Sequence, residues 1–274
     1  MAEPTGDEPS EPQLRFEKRG PIAQITLNRP HRGNALTPTM HDAISGIWQE
    51  VRDDGAIRVV IVTGAGDRHF CLGADLEAVA ETGKVSSGSG PLVDEVRWSP
   101  RVNRVWKPVI AAVNGLVVGA GLHFVVDADL VIAADTAAFM DTHVNVGMVG
   151  AVENIGLAKR LPLGTALRMT LMGSAYRLPA ARAHALGLVD EVTTPDHLME
   201  AAEEMATVIA KNSPQAMALS QQAIWGSLEM GYTEATEYGW ALVRAHWSHP
   251  DFTEGPRAFV ERREPNWTVD GAPG

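Results

Sequence analysis

Residues 107–121 read KPVIAAVNGLVVGAG. The run from Pro108 to Val113 predicts a buried strand, Asn114-Gly115 a turn, and Gly119-Ala120-Gly121 the glycine-rich start of a helix. The first N–H groups of a helix have no partner within it, so such a start favours negative charge. Upstream, Cys71-Leu72-Gly73-Ala74-Asp75-Leu76 offers a second start of this kind, where a Gly-Ala turn follows a strand and leads into a helix. Two converging N–H donors would form an oxyanion hole for a thioester carbonyl, which becomes enolate-like when its α or β carbon reacts. A glycine-rich turn before a helix more often serves close packing alone, and the residues by themselves leave that alternative open. The 119–121 stretch lacks the full G-x-G-x-x-G pattern of a dinucleotide loop.

Working outward, Leu14 to Lys18 and Ile22 to Asn28 are β-rich runs around Arg19-Gly20-Pro21, a hairpin signal. Thr37 and Pro38 open a helical pattern through Met40, Ile44, Trp48 and Val51. Ile57 to Thr63 and Leu130 to Ala134 read as further buried strands, and Thr82 to Gly90 as a mobile loop between two helices. From about Leu163 the pattern is helical, so an α/β half precedes a helical half.

The 274 residues are 45% hydrophobic, enough for one main domain with a sizeable core. A formal charge of -11 argues against nucleic-acid or anionic-membrane partners, which would call for a basic face. The single Cys71 excludes an intrachain disulfide, and no cysteine cluster offers a metal site. The acidic, Pro-rich N-terminus reads as a disordered tail and not as a signal peptide, and the chain as cytoplasmic. No apolar stretch reaches the ~18 residues of a membrane span.

Five stretches, in order, carry a resemblance. They are Ile25-Thr26-Leu27-Asn28-Arg29-Pro30 with Asn34-Ala35-Leu36; His69 to Leu76; Lys107 to Gly115 with Gly119-Ala120-Gly121; Leu186 to Val192; and Glu254 to Phe259. From about residue 14 to 267 the chain resembles the enoyl-CoA hydratase/isomerase (crotonase) superfamily. The resemblance implies an α/β fold, a spiral of ββα units with a C-terminal helical region. A disordered acidic tail at 1–12, a core at 13–198 and a helical trimerisation region at 199–274 are expected. It also implies an acyl-CoA-processing enzyme with a coenzyme A thioester as substrate, no permanently bound cofactor, no metal, and a homotrimer or hexamer as its assembly. The family's oxyanion donors fall on the N–H groups of Ala74 and Ala120. The coenzyme would run along the Ala74 loop, near Arg32, Ala35, Arg68, Gly73, Asp75, Leu76 and Gly119. Arg257 and Arg262 are candidate phosphate partners from the C-terminal helix. Each of these arginines, taken singly, is more often an ordinary solvated surface charge than a phosphate partner.

The chain departs from the family at the chemistry. Hydratases of this family use two glutamates, and the matching positions here are His123 and His143. Histidine titrates near neutrality and can serve as general acid or base. His143 is the expected principal base, with His123 polarising water, and Asp141 and Glu153 are neighbouring acids able to assist. Where some relatives carry a catalytic Asp, this chain has Ala151. Three readings stand: a hydratase or isomerase; a hydrolase of a C–C bond in a β-diketone, or of a thioester, using His143; and an acyl-CoA binder without catalysis.

Overall fold

The computed structural model describes residues 11–83 and 90–269. Residues 1–10 of the expected tail and 84–89 of the expected loop lie outside the described residues. Glu11 and Pro12 are described, and both accept from the Asn28 side-chain amide, at 3.2 and 2.9 Å.

The hairpin forms as expected: β1 (Leu14–Arg19) pairs antiparallel with β2 (Ile22–Leu27), turning at Gly20 with φ 59°. Helix α1 (Pro38–Asp53) starts where Thr37 accepts the Met40 N–H, and it buries Met40, Ile44, Trp48 and Val51 at helical spacing. The chain then winds as a spiral. β3 (Val59–Gly64) and β4 (His69–Cys71) lead into α2 (Leu76–Thr82) and α3 (Leu92–Glu95). β5 (Val109–Val113) and β6 (Leu116–Val118) lead through a 3-10 turn (Gly119–Leu122) into α4 (His123–Val126). β7 (Leu130–Ala134) and β8 (Ala138–Met140) lead through a second 3-10 turn (His143–Val146) into α5 (Val152–Arg160) and α6 (Leu163–Met172). β9 (Leu178–Pro179), α7 (Ala180–Ala185) and β10 (Glu191–Thr193) close the α/β part.

Each turn lays its first strand in one sheet, of order β1-β2-β3-β5-β7-β10, and its second in another, of order β4-β6-β8-β9. Pairing within each sheet is parallel except at β1-β2 and β8-β9. Strands β3 and β5, VVIVTG and VIAAV, are buried at every residue, as parallel strands covered on both faces must be.

Helix α8 (Leu198–Ile209) buries Leu198, Ala202 and Ala206 and packs against β3, β5 and β7. The expected division at 198/199 therefore falls at the start of a helix that covers the first sheet. The chain continues as α9 (Pro214–Gly226), α10 (Tyr232–His246) and α11 (Asp251–Glu261). On these helices Ile224, Trp240 and Phe259 face solvent, at 69, 54 and 86% exposure. Trp225 is used within the chain, its indole N–H donating to the Asp129 carboxylate at 2.8 Å. Among the described residues no helix is long and apolar enough to cross a membrane.

The opening motif fixes the loop that matters next. Asn34, fully buried at φ 55°, accepts the Arg29 N–H at 2.9 Å and donates to the carbonyls of Ala65 and His69. A left-handed backbone costs asparagine less than bulkier residues. Arg29 donates to Ala35 O at 2.7 Å and to the Asp75 carboxylate at 2.9 Å, tying both ends of the motif to the start of α2.

Candidate active site

The two glycine-rich segments lie against each other. Gly73 has φ 85°, and a Cβ there would sit 2.9 Å from Val118 O and 3.2 Å from the Ala120 nitrogen. A Cβ on Gly121 would come within 2.6 Å of Cys71 O, so the 3-10 turn can approach β4 only with glycine there. Leu36 bridges the Ala74 loop in parallel register: its N–H donates to Gly73 O at 2.8 Å, and its carbonyl accepts the Asp75 N–H at 2.9 Å. That register directs the N–H of Ala74 away from Leu36. Ala120 stands in the first turn of the 3-10 segment, whose N–H groups lack an internal partner.

Beside Ala120 is a cavity of about 350 Å³ lined by His41, Trp98, His123, His143, Val152 and Glu153, among others. His123, on α4, and Glu153, in the first turn of α5, are both buried. The Glu153 carboxylate lies between the two histidine rings: Oε1 is 3.1 Å from His143 Nε2, and Oε2 is 3.5 Å from His123 Nε2. On its other side the His143 ring meets Asp141, with Nδ1 2.6 Å from Oδ1. Gly119, at φ 51°, lies against the ring: a Cβ there would meet His143 Cε1 at 3.4 Å, in ordinary contact.

The electrostatics separate the two histidines. Hydrogen bonding to Asp141 raises the His143 pKa above its ordinary value against the opposing effect of burial, and the charges of Glu153 and Asp141 add to the rise. Burial, with the nearby His143 charge, pushes His123 down to about 4. Burial also raises the Glu153 carboxyl, although its own backbone N–H and His143 oppose this. For Asp141 burial again favours the neutral form, but the hydrogen bonds from His143 and Asn154 prevail and its pKa is lowered. Relative to a free imidazole, this arrangement favours the charged form of His143 and the neutral form of His123.

The residues expected along the coenzyme divide. Arg32, Ala35, Ala74, Asp75 and Leu76 line one open groove of about 550 Å³, whereas Arg68, Gly73 and Gly119 are not among its lining residues. The Arg32 guanidinium is held by Glu77 at 2.5 Å. Asp75 is engaged structurally, accepting from Arg29 and from the Glu77 N–H at the start of α2. Arg257 and Arg262 are exposed on and just beyond α11.

Comparison with known proteins is decisive at this point: residues 17–270 match the sequence profile of enoyl-CoA hydratase/isomerase. The chain belongs to the enoyl-CoA hydratase/isomerase family. It is 33% identical over 261 residues to a carnitinyl-CoA dehydratase of Citrobacter koseri, covering 93% of this chain and 97% of that one. It is also similar to the crystal structure of an enoyl-CoA hydratase/isomerase from Mycobacterium paratuberculosis, with TM-score 0.85, 37% identity, and coverage of 95% of this chain and 99% of that one. An enoyl-CoA hydratase structure from Mycobacterium tuberculosis gives TM-score 0.86 at 32% identity, covering 94% of this chain and all of that one. The chain is therefore an acyl-CoA-processing enzyme of the enoyl-CoA hydratase/isomerase type.

Within that family frame, the structure brings together Ala120, His123, His143 and Glu153, all singled out from sequence, with Ala74 on the adjoining groove. Reading the sequence missed Asn154, which donates to Asp141 at 2.5 Å, and Gly150, which packs over their junction. It also missed His41 and Trp98, which meet edge to face across the cavity wall with centroids 4.8 Å apart. Neither residue carries a local motif, and only the fold puts them there.

Proposed function

We propose that the enzyme adds water to, or removes water from, the α,β bond of a coenzyme A thioester, with the Glu153–His143 pair moving the protons. The N–H groups of Ala74 and Ala120 hold the thioester oxygen as it gains enolate charge. One observation carries this reading: a carboxylate, Glu153, reaches into the cavity between two histidines that stand where the family's glutamates are expected. In the hydration direction Glu153 takes a proton from water and the water oxygen bonds to the β carbon. The electron pair moves to the thioester oxygen, and the enolate then takes a proton at its α carbon. Glu153 gives that proton back at the α carbon, while His143, held between Asp141 and Glu153, steadies the carboxylate and neutral His123 positions the water. The expected base role thus passes from His143 to Glu153, because carboxylates at both ring nitrogens favour a proton on His143. The carnitinyl-CoA dehydratase relative supports the water-removing direction.

The coenzyme would run along the groove lined by Arg32, Ala35, Ala74, Asp75 and Leu76. The solvent-facing Ile224, Trp240 and Phe259 support a homotrimer or hexamer.

A second reading, hydrolysis of a C–C bond in a β-diketone, is favoured by the same cluster, in which Glu153 would take the proton of a water attacking a carbonyl beside neutral His123. Enoyl-CoA, 3-hydroxyacyl-CoA and cyclic β-diketone substrates, with products resolved by mass spectrometry and NMR, separate the two. Gain or loss of one water at an intact α,β position supports the first. Ring opening or fragmentation supports the second, and no turnover on any of them removes both.

A further inference from the structure

We propose that Asp141 is the positioning residue of this site: it holds the His143 ring with hydrogen on Nδ1 and Nε2 turned to Glu153. The catalytic consequence rests on the roles proposed above for Glu153 and His143, whereas the positioning itself stands on geometry.

Asp141 follows β8 and is fully buried. Its Oδ1 accepts the backbone N–H of His143 at 3.0 Å and lies 2.6 Å from Nδ1 of the same residue. One oxygen thus grips both the main chain and the ring of His143. Its Oδ2 accepts from the Asn154 amide at 2.5 Å. That amide also reaches Gly150 O at 3.1 Å and Thr170 Oγ1 at 2.9 Å, and the Thr170 hydroxyl donates to Ala166 O. The carboxylate is therefore anchored through α5 and α6 as well as through the 3-10 turn that begins at His143.

Gly150 gives an independent indication that this junction is built. A Cβ there would lie 2.7 Å from Asn154 Nδ2, 2.8 Å from His143 Nδ1 and 2.9 Å from Asp141 Oδ2. Its φ is not among the positive values, so glycine is needed for space and not for backbone freedom. Any side chain at 150 would press into the meeting point of the three polar groups.

A carboxylate only accepts hydrogen bonds, so Nδ1 must carry hydrogen in both charge states of the ring. The neutral ring then presents its lone pair at Nε2, 3.1 Å from Glu153 Oε1. A proton can pass from Nε2 to Oε1 and back, with one N–H bond broken for each O–H bond formed and nothing else rearranged. The groups that face this pair are Asp141, just after β8, and His123 from α4; His41 and Glu95 line the same cavity.

The test is ¹⁵N NMR of the His143 ring in the full-length, ligand-free protein, together with Asp141→Asn. In the wild type the neutral ring is expected to be protonated on Nδ1. In Asp141→Asn the His143 pKa should fall by about one unit or more. The rate of α-proton exchange of butyryl-CoA should fall roughly 10²-fold or more, with butyryl-CoA affinity held within a few fold. A neutral wild-type ring protonated on Nε2 would overturn the proposal, and so would a folded Asp141→Asn with unchanged titration and exchange. If Asp141→Asn does not fold, the wild-type tautomer decides alone. Should Glu153→Gln retain full exchange while Nδ1 is protonated, the roles proposed for Glu153 and His143 fall and the positioning stands.

Discussion

Nε2 of His143 lies 3.1 Å from Oε1 of Glu153, while Nδ1 of the same ring lies 2.6 Å from Oδ1 of Asp141. The imidazole is held between carboxylates contributed by α5 and by the end of β8. A site whose two expected glutamate positions are both histidine thus recovers a carboxylate from elsewhere in the chain.

Removing that carboxylate's charge while keeping its shape isolates its role. Glu153→Gln should lower kcat roughly 10²-fold or more with KM little changed, because a positioned proton carrier acts in the transition state and not in binding. Steady-state kinetics on the substrate found in the product survey checks this; a loss confined to KM would place Glu153 in binding instead.

The two histidines should affect stability in opposite directions as pH changes. Between about 4 and 6.5 the unfolded chain binds a proton at His123 that the folded chain does not, so this residue makes stability rise with pH across that window. His143 has a raised folded pKa, so its contribution is complete below its unfolded value and fades as pH rises through the folded one. Urea denaturation at pH 4.5 and 7 should show a gain on raising the pH that shrinks by roughly 2 kcal/mol in His123→Gln. An equal gain in both proteins contradicts the buried, neutral assignment.

Two glycines with positive φ form a matched pair. Gly20 (φ 59°) has nothing within 4 Å of where a Cβ would stand, whereas at Gly73 (φ 85°) it would crowd Val118 O and the Ala120 nitrogen. Each change to alanine should cost about 1–2 kcal/mol through the left-handed backbone alone. Only Gly73→Ala should also abolish turnover, by closing the space between the two donors. Melting curves and activity assays on both variants, with full activity expected for Gly20→Ala, separate backbone strain from site loss.

Much of the scaffold was legible because its signals are local. Thr37-Pro38 marks the start of α1, the apolar runs mark β3 and β5, and the glycines of 119–121 mark the turn after β6. The family motifs added their order. The acid–histidine arrangement was legible only as a set of candidates. Glu153 reaches His143 because the chain turns through the 3-10 segment and Gly147 (φ 70°) before α5, and no residue in that stretch announces where the helix will point. Asn154 and Gly150 matter only because three elements converge there. Arg32 showed its charge in the sequence but not its partner Glu77, supplied by α2.

Exchange of the α-protons of butyryl-CoA in D₂O tests the central claim most directly, since it needs a held thioester oxygen and a working base but no knowledge of the natural acyl group. Wild-type enzyme at saturating butyryl-CoA should incorporate deuterium at the α carbon, read by mass spectrometry. Glu153→Gln should bind the same thioester and exchange roughly 10²-fold more slowly or less. No exchange by the wild type despite demonstrated binding, or exchange by Glu153→Gln at the wild-type rate, would contradict the account.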